Sequence, residues 1–218
     1  VAKTHLQADG KLLALDVEEI SMGPAAARLS TIYRLLEDGT QDTTFLIDTN
    51  LRHKISAVHF DENGDVLIAG SFQYVHNLLR VGIARLNSEG AVYTSFKPGS
   101  GVKGYVYALA GQADGKIIVG GSLKEYNEQP VKQVIRLFPD GTLDTTFRLR
   151  WGSAALDSLY RKTLIEYAAI DSKGNVIIAG RDGPAGQAGS EYYVARLLPT
   201  GQRDTSFAMD AGYLARLT

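Results

Sequence analysis

The stretch Val134-Ile135-Arg136-Leu137-Phe138-Pro139-Asp140-Gly141-Thr142-Leu143-Asp144-Thr145-Thr146-Phe147 decides the fold, because the chain contains it in four versions. The others start at Tyr33-Arg34-Leu35, Ala84-Arg85-Leu86 and Ala195-Arg196-Leu197, and run to Phe45, Phe96 and Phe207. From each Arg-Leu pair the offsets to the turn glycine (Gly39, Gly90, Gly141, Gly201) and to the phenylalanine are the same. A second motif precedes each copy: a short apolar run, an Asp-Gly, Asn-Gly or Lys-Gly pair, and another apolar run. Its glycines are Gly10, Gly64, Gly115 and Gly174. Short β-branched or aliphatic runs around such a pair are a hairpin signal, since the turn needs a residue that adopts positive φ cheaply. One repeat therefore reads as four short antiparallel strands, A to D, and helical periodicity is missing.

The arginine marker recurs with periods of 51, 51 and 60 residues. Tandem four-stranded units of about 40–50 residues predict a β-propeller, whose blades bury their faces only against one another. The expected organisation is a single all-β propeller domain over 1–218, or a fragment of one, with repeats near 1–50, 51–101, 102–150 and 160–210. The tail Ala211–Leu217 resembles the start of strand A (compare Gly104–Leu109). Four repeats and the opening of a fifth predict an excerpt of a larger propeller. Further blades or another subunit would then cover its ends.

Both half-motifs resemble the delta-60 repeat, a bacterial β-propeller repeat. The third copy matches best, over Ala108–Ser122 and Ile135–Phe147. The first copy departs from the pattern by lacking Gly-Gly-Ser, the second by Tyr93 in place of Asp, and the fourth by Arg181 in place of Ser. The resemblance implies a secreted, cell-surface or periplasmic bacterial protein and implies no particular activity.

Composition narrows the function classes. Acidic and basic residues nearly balance at a net charge of −1, which gives no electrostatic reason to expect nucleic acid or an anionic membrane as partner. No apolar run approaches the ~18 residues of a membrane-spanning segment. Cysteine is absent, so disulfides and thiolate metal sites are excluded. The chain opens on Val1 without a signal peptide, and a processed or trimmed chain is expected.

Candidate binding residues lie where the repeats differ. The A–B and C–D turns are short in every copy. The B–C connections (Val17–Ser30, Gln73–Leu79, Lys124–Val131, Asp182–Glu191) and the D–A connection Arg148–Lys162 vary, and are expected at the opposite end. Variation confined to one face marks the usual binding face of a repeat protein. Trp151, the chain's single tryptophan, stands there beside Arg150 and near Tyr160. Aromatic and arginine side chains in this combination anchor peptides and sugar rings. The alternative is that Trp151 plugs a gap between blades. Tyr74, His76 and Tyr126 extend the candidate surface, although packing is the preferred role for each taken singly.

Other chemistry has bland readings. Asp-Gly-x-x-Asp (Asp38 and Asp42; Asp140 and Asp144) offers at most two carboxylates per copy, too few for calcium, and reads as a turn whose Asp and Thr side chains bind loop amides. The recurring arginines read as bonds between blades, and Gly70, Gly120-Gly121 and Gly180 as places of close strand approach. His5, His53, His59 and His76 fall at unrelated repeat positions, so neither a metal nor another cofactor is expected. The reading is a non-enzymatic binding or scaffolding propeller with a protein or glycan partner. The alternatives are a polysaccharide hydrolase or lyase at the central mouth and a purely structural module.

Overall fold

A computed structural model describes residues 3–7, 9–22, 25–45, 55–150, 163–182 and 192–207, with backbone only at 3, 16–31, 163 and 182. All regular structure in them is β, as the repeats predict. The chain divides into two compact units, 1–101 and 102–218, each holding two repeats.

In the first unit, β1 (Lys3–Leu6), β2 (Leu12–Met22) and β3 (Ala25–Leu35) form one antiparallel sheet. The second sheet is β4 (Ile55–Phe60), β5 (Val66–Gly70) and β8 (Ile83–Leu86), with a small hairpin, β6 (Tyr74–Val75) and β7 (Leu78–Leu79), between β5 and β8. Leu13, Leu15, Ile32 and Phe45 of the first repeat pack in one core with Ile55, Val66, Ile68 and Leu86 of the second. In the second unit, β9 (Val102–Gly111), β10 (Ile117–Tyr126), β11 (Gln129–Pro130) and β12 (Val134–Leu137) make one sheet. The other is β13 (Thr163–Ile170), β14 (Val176–Asp182) and β15 (Tyr192–Leu197). Ala108, Ile118 and Phe147 share a core with Ile165, Val176, Ile178 and Leu197. Every residue of β12 is buried, on both faces of the pleat.

The A–B turns close on their glycines: the Gly64 amide donates to the Asp61 carbonyl and Gly64 sits at φ +77°, while the Asp61 amide donates to the Asp65 carbonyl. This is a type I turn with its left-handed glycine in the bulge position. Strand D is not a strand. It contributes one bridge per repeat (Leu35 to Gln41, Leu86 to Val92, Leu137 to Leu143, Leu197 to Arg203). The chain turns at once, because Asp144 Oδ1 takes the Thr146 amide at 2.9 Å and the Phe147 amide bonds the Asp144 carbonyl. The first B–C connection, Val17–Ser30, is not a loop: β2 and β3 stay paired from Leu12 opposite Leu35 to Met22 opposite Ala25.

The pairing of strands A and B breaks register at one repeat position. Ser56, Tyr107 and Glu166 are each an extra residue, opposite Ala69-Gly70, Gly120-Gly121 and Ala179-Gly180. A Cβ on Gly121 would lie 2.0 Å from the Tyr105 carbonyl oxygen, and one on Gly180 1.9 Å from that of Leu164. Close approach of the bulged strand is the physical content of the glycine motif. The first repeat has Asp16 at this position, and β1 pairs with β2 without a break from Lys3 to Leu6.

Candidate binding site

The most regular polar residues of the repeat hold the fold. The Arg34 side chain is buried; its Nε donates to Asp42 Oδ2 at 2.9 Å, and its Nη atoms reach the Ser88 carbonyl and Glu89 carboxylate of the next repeat at 2.8 Å. Arg136 repeats the pattern, donating to Asp144 at 2.7 Å and to the Pro199 carbonyl of the following repeat at 2.9 Å. The guanidinium carbons of Arg34, Arg136 and Arg196 lie 4.9–5.0 Å from the ring centroids of Phe45, Phe147 and Phe207. Arg85 has Tyr93 where its aspartate would stand, and pairs instead with Asp61 at 2.8 Å and Asp65 at 3.0 Å. Burial, with Asp61 alongside, pushes the Asp65 carboxyl above its ordinary range.

The turn carboxylates are consumed locally. Asp42 Oδ1 accepts from the Thr44 hydroxyl and amide, and its other oxygen from Arg34. The Thr44 bonds, with Arg34 behind them, hold the Asp42 carboxyl down at about 2. This supports the turn reading over calcium. Among the described residues no group of three or more His, Cys, Asp or Glu could hold a metal ion.

The variable connections of the second and third repeats are hairpins whose central residues have positive φ: His76 (47°) and Asn77 (63°), Asn127 (47°) and Glu128 (64°). Both residues of such a turn are left-handed, as in type I′. These hairpins do not stand off at the end opposite the C–D turns. The His76 ring Nε2 lies 3.2 Å from the Gly90 carbonyl, and the Tyr126 hydroxyl donates to the Gly141 carbonyl at 2.5 Å. Register shifts at Gly120/Gly121 and Leu123/Glu125 bend β10 and fold its hairpin back over its own C–D turn.

The candidate residues therefore separate. Tyr126 is 1% exposed and occupies the inward register filled in the preceding repeat by Val75, so it packs and does not present a surface. Tyr74 is 54% exposed and His76 is exposed, both in the first unit. Arg150 is exposed in the second unit. Trp151 and Tyr160 lie outside the described residues, as do His53, the tail from Ala211 and most of the fourth B–C connection.

Arg150 lines a cleft of about 470 Å3, walled by the 129–135 and 143–150 stretches. Its backbone is fixed: the Arg150 amide donates to the Gly201 carbonyl at 3.1 Å, and its carbonyl accepts from Arg203 at 2.8 Å. Lys132 and Arg148 share the wall. Lys132 Nζ donates to the Leu149 carbonyl at 3.1 Å and Arg148 Nε to that of Thr145 at 3.1 Å. Lys132 escaped the sequence reading because it follows a hairpin whose fold-back no local pattern announces. A second surface was also missed. Tyr105 and Tyr107 stack at 6.3 Å on β9, and Tyr167 is 68% exposed on β13. Their spacing on strand A was the available signal. Beside them Glu166 is held by Arg181 at 3.1 Å.

Fold and repeats define an all-β repeat protein of the propeller class. Three stretches, 62–96, 112–147 and 174–207, match the family described as "Domain of unknown function (DUF5122) beta-propeller". No curated protein matches the chain. Among solved structures, the chain is similar to a glycosyl hydrolase from Bacteroides ovatus at 11% identity and a TM-score of 0.42, covering 94% of this chain and 68% of that one. A second was solved in work on the GH130 family of mannoside phosphorylases, which contains glycoside hydrolases that target beta-1,2 mannosidic linkages in Candida mannan. It is 14% identical with a TM-score of 0.42, over 94% and 68% of the two chains.

Proposed function

We propose that the protein is a non-enzymatic binding or scaffolding propeller that works outside the cytoplasm and engages a glycan or protein partner through segments that vary between repeats. One observation carries this reading: polar residues shared by the repeats are spent within the fold, whereas the variable segments of the third repeat leave an open cleft with Arg150 on its wall. A pocket of this size with a few convergent polar groups is the default place to look for a ligand. The test is affinity electrophoresis of the 218-residue chain through gels containing neutral or acidic polysaccharides, with a reducing-end assay on the same mixtures. Retardation by a polysaccharide without new reducing ends is expected. Release of reducing ends would make the protein an enzyme and overturn the reading.

A further inference from the structure

We infer that the chain associates head to tail with a second copy of itself, the outer face of its fourth repeat receiving the outer face of the first repeat of that copy. This interaction surface is independent of the ligand-binding role proposed above.

Each unit contains one complete contact between repeats, and the two contacts are built alike. In the first unit Leu13, Ile32 and Phe45 of the first repeat pack with Val66, Ala84 and Leu86 of the second. In the second unit their counterparts Ile118, Val134 and Phe147 of the third repeat pack with Val176, Ala195 and Leu197 of the fourth. A repeat thus has a trailing face, which receives, and a leading face, which is received. The two faces differ, so the contact is heterologous.

The leading face of the first repeat and the trailing face of the fourth stand open. On the former, Leu12, Tyr33 and Leu35 hold the positions of Val66, Ala84 and Leu86 but are only half-buried. Leu6, the counterpart of Phe60, is 68% exposed. On the latter, Ile177, Val194 and Phe207 hold the positions of the buried Ile118, Val134 and Phe147, and are half-buried. Tyr167, in the place of the buried Ala108, adds an exposed aromatic ring, a residue type that anchors interfaces. The chain therefore carries both halves of a contact that it already makes once inside each unit. That makes a second copy the occupant.

The polar bonds of the contact point the same way. Arg34 sends its Nη atoms to the Ser88 carbonyl and the Glu89 carboxylate of the second repeat, both at 2.8 Å. Arg136 sends one to the Pro199 carbonyl of the fourth repeat at 2.9 Å. Arg196, the same residue of the fourth repeat, bonds Asp204 and Ser206 of its own turn and reaches no other repeat among the described residues. In the first repeat the counterparts of Ser88 and Glu89 are Glu37 and Asp38. Asp38 is exposed, and the Thr40 amide and hydroxyl donate to its Oδ1 alone. Its Oδ2 offers Arg196 of a second copy what Glu89 offers Arg34, a charge-assisted bond.

The experiment is sedimentation velocity of the 218-residue chain over about a hundredfold range of concentration, with Leu6→Glu, Tyr167→Lys and Asp38→Lys and thermal melts of each. The wild type is expected to gain mass as concentration rises. Leu6→Glu, which blocks the leading face, and Tyr167→Lys, which blocks the trailing face, should each weaken association at least about tenfold. Both side chains are exposed in the single copy, so their melts at low concentration should stay unchanged. Mixing these two variants should restore a complex that stops at one copy of each, because one intact trailing face meets one intact leading face. Asp38→Lys should weaken association and reduce its dependence on salt. A wild-type monomer at every concentration, association indifferent to any of the three variants, or no rescue on mixing overturns the inference.

Discussion

At the scale of single residues, one side chain changes its job with one partner. Arg34 and Arg136 clamp an aspartate in their own repeat and a carbonyl in the next, whereas Arg85 meets Tyr93 and turns to Asp61 and Asp65. Tyr126 shows the same dependence on context. The sequence offers it both as a surface aromatic and as a packed one, and the fold-back of β10 decides for packing by sealing it over the Gly141 carbonyl. Tyr126→Phe keeps the packed ring and strands that carbonyl, so it should cost about 1–2 kcal/mol at neutral pH. Burial pushes the Tyr126 phenol above the ordinary 10.0. A raised phenol favours the folded state below the unfolded value and loses that contribution as pH rises past it. The gap in melting temperature between wild type and Tyr126→Phe should therefore narrow from pH 7 to about pH 11. A gap that widens at alkaline pH would contradict the assignment.

At the scale of elements, the repeated bulge explains why two kinds of glycine recur. Turn glycines such as Gly39 need a left-handed backbone, and Gly39 has open space around its Cβ position at φ +81°. Gly121 has no such φ requirement and no space: its Cβ would meet the Tyr105 carbonyl. Gly39→Ala should cost about 1–2 kcal/mol, the strain of one left-handed residue. Gly121→Ala should cost more, on the order of 3 kcal/mol, because backbone has to move. Denaturant midpoints of the two variants measure the order, and the reverse order would refute this account of the bulge. Hairpin turns were legible from Gly10 to Gly201 because their requirement is local. The bulges at Ser56, Tyr107 and Glu166 were not, since an extra residue in one strand is defined only against its partner. Strand D misled for a related reason. The alternation after Gly141 suits a strand, but the claim of Asp144 on the Thr146 amide ends it after one bridge.

At the scale of the molecule, repetition exposed the architecture and concealed the site. Identical offsets from arginine to phenylalanine announce blades, yet beside Val134, Ile135, Asp144 and Phe147 of that pattern the cleft takes in Lys132 and Arg150, which break it. The shared residues also set a property that sums over repeats. Bonds from Thr44 to Asp42 and from Ser206 and Arg196 to Asp204 bring both carboxyls to about 2, against 3.8 for an ordinary aspartate. A lowered carboxyl stabilises the folded state above its unfolded value, and the contribution is lost as pH falls through the folded one. Asp65, raised by burial, acts with the opposite sign, one group against several. Stability measured as a urea midpoint should thus hold level at mildly acidic pH and fall between about pH 4 and about pH 2. Asp42→Asn should lower the midpoint at pH 6 and shrink the acid fall, since it removes one titrating group and keeps an oxygen for the Thr44 bonds. A midpoint unchanged down to about pH 2 in the wild type would show that these turns carry no weight in stability.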